Sequence, residues 1–290
     1  MQAMAKWLLA RPRNAVLGLT VTLLLPAPQL TSGAIMVLLV LAQGARSAVI
    51  EASIAAALLA LVSLLLGDSL ASVAVLTTGT WVPVTLLAIM LATTRSLTLV
   101  LQVSVIFVVV TMLTFYSVVA DPVAFWQPLL ADMIATAERT GLPLDPQMLT
   151  ADVAAVSAAL GFWMIYVGGF LLGHMAYKKL PGETQEFGRL RELNFGRVIA
   201  FAMALTSVLV MVIDVTWLQN IAFVMFVMFA LQGLAIGHWL VANEVAPFAT
   251  LLAVYVMMFL PLLQEIVIVV LAVGGYTDAW FGFRRRLKKA

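Results

Sequence analysis

The chain has 290 residues, of which 63% are hydrophobic and 10% charged, with a formal net charge of +2 and no cysteine. The absence of cysteine excludes disulfides, thiolate nucleophiles and thiolate metal sites. The charges fall between long apolar runs, several of which reach the roughly 18 residues needed to cross a ~30 Å hydrocarbon layer, so the sequence reads as one polytopic membrane domain, all-α, over residues 1–290.

The apolar runs, in chain order, cover residues 14–25, 31–42, 48–66, 73–93, 97–120, 153–177, 198–215, 217–241 and 247–273, giving eight or nine hydrophobic segments. The basic, apolar start of the chain is followed by Pro26-Ala27-Pro28, a poor cleavage context, so no cleavable signal peptide is expected. The first two runs are each about 12 residues, ~18 Å of helix, too short to span. They are read either as a hairpin or as one span kinked at Pro26 and Pro28. The last run is interrupted by Pro261, which removes a backbone donor and clashes with the preceding turn. It either turns back there or continues with a kink.

Basic residues set the expected orientation. Arg46, Arg95, the basic loop near 178–197 and a tail containing Arg284, Arg285, Arg286, Lys288 and Lys289 belong inside, while the loop near 121–152, with Asp121, Asp132, Glu138, Asp145 and Asp152 against Arg139, belongs outside. Two hairpins, one at each end of the chain, satisfy every basic residue except Arg139. That arrangement puts both termini in the cytoplasm. In the outer loop, Trp126, Leu129, Leu130, Met133, Ile134 and Ala137 recur at helical spacing, predicting an amphipathic helix on the membrane surface, as an anchor or a lid. Asp145-Pro146 reads as the N-cap and first position of the helix that follows.

Two short patterns match: Gly169–Gly173 followed by His174, and Gly233–Gly237 followed by His238. Glycines four apart flatten a helix face for close approach of another backbone, so all four are expected at helix contacts. Alanines at 52, 56 and 60, and at 151, 155 and 159, form similar stripes. The two histidines are read as interfacial and not as metal ligands; no metal or other cofactor is expected.

Polar residues inside apolar runs are the candidate ligand site. Gln264 and Glu265 follow Pro261 in mid-run, where a carboxylate costs a few kcal/mol unless it meets a cavity or partner, and Gln232 joins them as a third polar residue in an apolar run. All three are expected to face the interior of the protein, around a cavity opening outward beneath the 126–137 helix. The alternative for Glu265 is a protonated carboxyl bonded near the Pro261 break.

The chain closes with Gly275-Tyr276-Thr277-Asp278-Ala279-Trp280-Phe281-Gly282-Phe283-Arg284-Arg285-Arg286, preceded by the loop Phe187-Gly188-Arg189-Leu190-Arg191-Glu192-Leu193-Asn194. These segments, with the layout of the whole chain, resemble the YybS-like family of predicted bacterial membrane proteins, whose function is unknown. That family is in turn similar to the substrate-binding components of energy-coupling-factor vitamin transporters. The resemblance implies a small-molecule binding protein energised by a separate subunit. Arg191, Asp278, Trp280 and Arg284 are expected at the cytoplasmic interface, where aromatic and basic groups suit headgroups.

Two functions stay open at this level. One is a ligand-binding or transport component. The other is a membrane scaffold that holds partners through Gly and Ala faces. The expected partners are the bilayer, a small molecule and a further membrane or energising subunit, with no nucleic acid. No nucleophile and base pair or phosphate loop is recognisable, so no enzymatic activity is expected.

Overall fold

A computed structural model describes residues 2–141, 149–182 and 187–284, and every regular element among them is helical. The helices are α1 (Gln2–Ala10), α2 (Pro12–Leu23), α3 (Pro28–Gln43), α4 (Ala45–Leu66), α5 (Leu70–Thr94), α6 (Leu97–Val118), α7 (Pro122–Thr140), α8 (Ala151–Lys178), α9 (Gly196–Val212), α10 (Thr216–Ala242), α11 (Phe248–Phe259) and α12 (Pro261–Phe281). They group into two compact units, Met1–Ser96 with Phe162–Phe187, and Leu97–Gly161 with Gly188–Ala290. Six helices, α4, α5, α6, α8, α10 and α12, are long and apolar enough to cross a membrane. Only 28% to 44% of each apolar window is buried. Surface of that kind is stable only against lipid, and the chain is a multi-pass membrane protein.

In the first unit the short runs form a hairpin. Thr31 Oγ1 donates to the carbonyl of Thr22 at 3.1 Å and Ser32 Oγ to that of Leu19 at 3.2 Å, pairing α2 and α3 side by side in opposite directions. Pro12 and Pro28 each sit in the first turn of their helix, where a missing N–H is harmless. The α3 helix has 16 residues, ~24 Å, and is too short to span. It is accordingly enclosed: Ile35 through Val40 are all buried, with α2, α4 and α5 packed on it. Gly44 and Gly67, at φ of 88° and 80°, bound α4 in backbone conformations that favour glycine.

In the second unit α10 is the hub, with α6, α9, α11 and α12 packed against it. The amphipathic segment is helix α7, longer at both ends than residues 126–137. Asp121 caps it by accepting from Ala124 N at 3.0 Å, and Gly141 ends it at φ 70°. Phe125 and Trp126 pack on Phe115 with ring centroids 5.3 and 5.9 Å away. The Asp145-Pro146 cap and Arg285, Arg286, Lys288 and Lys289 of the tail lie outside the described residues, and α8 begins at Ala151.

The last apolar run is a complete break and not a kink. Leu260 is extended (φ −93°, ψ 114°), α11 stops before it, and Pro261 opens a new helix. That helix does not end with the apolar run at residue 273 but continues through Gly274 and Gly275 to Phe281. Residues Gly275 to Phe281 of the closing motif thus form the last turns of a helix long and apolar enough to span.

Candidate functional site

Gln232 is fully buried in α10, and its amide is spent on the chain itself. Its Oε1 accepts from Phe195 N at 2.7 Å, and its Nε2 donates to Asp278 Oδ2 at 3.2 Å. Arg284 closes the network. Nε and Nη2 reach the same Asp278 oxygen at 3.1 and 2.6 Å, Nη1 donates to the carbonyl of Arg191 at 2.8 Å, and Nη2 donates to that of Leu193 at 2.6 Å. Asp278 is 1% exposed, and the Arg284 side chain 10%. The cluster therefore clamps the loop before α9 to α10 and to the end of α12. Gln232 serves this clamp. Arg191 contributes only its backbone, and Arg197 Nη2 donates to the carbonyl of Trp280 at 3.5 Å.

The four glycines of the matched patterns lie at helix contacts. A Cβ at Gly169 would strike the backbone of Gln29 and Leu30, and one at Gly173 the carbonyl of Ala34, so this face of α8 lies on α3. A Cβ at Gly233 would strike the Leu271 backbone, and one at Gly237 would come within 3.3 Å of Leu251. The sequence reading missed Gly275, whose Cβ would meet the Phe229 carbonyl and lie 2.8 Å from Gly233 N. Gly233 and Gly275 are the two sides of one crossing of α10 and α12.

Gln264 and Glu265 do not face the interior: both are exposed. The physical reason is the complete break at Leu260. It restarts the helix at Pro261, so Gln264 falls in the first turn, its N–H bonded to the Leu260 carbonyl at 2.9 Å. Both residues therefore lie near the start of α12, a candidate span, and not at the centre of one. The three proposed ligand residues are not brought together.

Two polar pairs escaped the sequence reading. Glu51, in the second turn of α4, is 4% exposed and accepts from Gln43 Nε2 at 2.5 Å; a lone carboxylate in the 48–66 run was the available signal. Asn220 Nδ2 donates to the Tyr116 hydroxyl at 2.8 Å, with Asp152 Oδ1 3.5 Å away. His174 is buried between the rings of Phe170 and Phe187, and His238 meets the Tyr255 hydroxyl at 2.8 Å. The two histidines belong to different units.

A cavity lies in the first unit. It measures about 270 Å³ and opens between α4 and α5, with Met36 of α3 among its lining residues. Its walls carry no charged side chain; the polar ones are Ser53, Thr77, Thr78, Thr85 and the Trp81 indole. Most of their hydrogen-bonding capacity is already used. Ser53, Thr77 and Thr78 donate back to the carbonyls of Val49, Val73 and Ala74, at 2.8, 2.8 and 2.5 Å. Trp81 Nε1 donates to Ser32 Oγ at 2.9 Å. The Thr85 hydroxyl alone among them is buried without a partner. A more open hollow of about 660 Å³ lies between α5 and α8, beside the 2.6 Å bond from the Tyr166 hydroxyl to the Gly79 carbonyl. No family model, curated protein or solved structure matches this chain.

Proposed function

We propose that this membrane protein binds a small, largely apolar molecule and acts as the substrate-binding component of a transporter, with energy supplied by a separate subunit. The observation that carries this reading is the groove between α4 and α5: it has room for a ligand, an apolar wall and one buried hydroxyl without a partner. Binding sites of this type combine a mostly apolar lining with a few placed polar groups. The resemblance of the closing motif to the YybS-like family agrees with it. The groove offers no charged group to act as acid or base, which favours binding over catalysis.

The chain belongs in this reading to a bacterial inner membrane, with Arg11, Arg46 and Arg95 on the cytoplasmic side. The α2–α3 hairpin brings Arg11 and Arg46 to one end, and the antiparallel α4 and α5 bring Arg95 there too. The clamp around Arg284 serves to fix the basic loop beneath α10. Single cysteines at residues 46 and 95 should escape an impermeant thiol reagent in intact cells, and labelling of either would reverse this orientation.

The scaffold alternative has one observation in its favour, the exposed Gln264 and Glu265, which could meet a neighbouring helix. Against it, the faces carrying Gly169, Gly173 and Gly233 are already filled by α3 and α12. The deciding experiment measures thermal stability of the purified protein against a panel of vitamins and lipid precursors. A rise with at least one compound supports binding; no rise, together with a co-purifying membrane protein, transfers the assignment to the scaffold.

A further inference from the structure

We infer that the α4–α5 groove takes a neutral, lipid-soluble ring ketone of the quinone type, entering from the bilayer and accepting a hydrogen bond from Thr85. This rests on the small-molecule reading above and names its ligand class. Charge is the first argument. With no ionic side chain on the walls, a carboxylate or phosphate would be stripped of water with nothing to balance it, so the bound part of the ligand is neutral.

Depth is the second. Thr85 lies about 15 Å along the axis from Arg95 and about 22 Å from Leu70, at ~1.5 Å per residue. In a ~30 Å hydrocarbon layer that places its hydroxyl near the middle. The ester oxygens of a phospholipid stay at the edge of that layer, so an ordinary acyl chain in the groove would leave Thr85 unpartnered. A ligand that satisfies it must carry its oxygen inside an apolar body. Shape is the third argument. Trp81 lies one helical turn before Thr85, on the same side of α5, and offers a flat ring beside the hydroxyl. On the rim, Val82 and Leu86 are 50% and 59% exposed, as a lateral entrance from lipid requires.

The test uses the full chain in phospholipid nanodiscs and a benzoquinone whose alkyl tail carries a diazirine, with cross-links located by mass spectrometry. Labelling should concentrate on residues 77–86 and be displaced by the unmodified quinone. Thr85→Val should weaken binding roughly threefold to tenfold, the value of one net hydrogen bond, while Thr85→Ser keeps it. Ala56→Leu, which fills the groove from a half-buried position, should abolish labelling without lowering the melting temperature. Labelling spread over other helices, or a phospholipid diazirine probe that labels residues 77–86 undisturbed by the quinone, overturns the proposal. If another compound of the panel stabilises the protein and the quinone does not bind, the ligand class falls and the binding reading stands. If nothing in the panel binds, both fall.

Discussion

Replacing Arg284 with methionine should destabilise the protein by about 3–5 kcal/mol, the usual cost of stripping one partner from a buried ion pair. The structure explains why this pair exceeds the ~0–1 kcal/mol of a surface pair. Asp278 is 1% exposed and sits in the last turns of a spanning helix. Methionine keeps much of the side-chain bulk but removes both bonds to Asp278 Oδ2, leaving it only Gln232 Nε2 at 3.2 Å. The carbonyls of Arg191 and Leu193 lose their donor as well. Adding Asp278→Asn to Arg284→Met removes the stranded charge, so the double variant should be more stable than the Arg284→Met single. Reversible denaturant unfolding in micelles, read by tryptophan fluorescence and extrapolated to zero denaturant, gives both values. A loss below about 1 kcal/mol for Arg284→Met, or a double variant no better than that single, would refute the clamp as a buried charge network.

The adjacent glycines of α12 should behave oppositely: Gly275→Ala forces apart the crossing with α10 and should cost about 3 kcal/mol, whereas Gly274→Ala meets nothing within 4 Å and should gain up to about 1 kcal/mol from helix propensity. Equal effects in the same unfolding assay would show the crossing to be misplaced. Ser32→Ala takes the acceptor from Trp81 Nε1 and should cost about 1–3 kcal/mol, and an unchanged midpoint would mean that the indole is satisfied otherwise. Glu265→Leu should stay within about 0.5 kcal/mol of wild type, as an exposed substitution does; a loss of ligand-induced stabilisation in this variant would reinstate the residue as part of the site.

Most helix boundaries were readable because apolar runs and their punctuation carry the same information, whereas α1, which precedes the first apolar run, was not. Gly44 and Gly67 bound α4, and the proline pair at 26 and 28 separates runs too short to span, which is why a hairpin could be expected there. The end of α12 was not readable. Gly-Gly followed by polar residues looks like an exit from the membrane, yet Gly275 is small because α10 passes against it, and Asp278 is tolerated because Gln232, 46 positions earlier, and Arg284 meet it. For Glu265, position in an apolar run suggests depth but not direction. Pro261 resets the helical phase, and only the packed structure says which side faces out.

The same limit hid Thr85, since hydroxyls in spanning helices ordinarily bond back to a carbonyl four residues earlier, as Thr77 and Thr78 do. Which one fails to do so is a matter of rotamer and neighbours. In lipid that difference is consequential, because no water waits to satisfy a stray donor. The polar residues of the described spans are largely paired within the chain: Gln43 with Glu51, Ser32 with Trp81, Asn220 with Tyr116, Gln232 with Asp278. Among the described residues of the first unit, the buried side-chain atoms left over are the Thr80 and Thr85 hydroxyls and His174 Nε2. Of these three residues, Thr85 is the one that lines the α4–α5 groove. The Thr85 hydroxyl, beside an apolar groove deep in the hydrocarbon layer, thus offers hydrogen-bonding capacity where a ligand arriving through the membrane would use it.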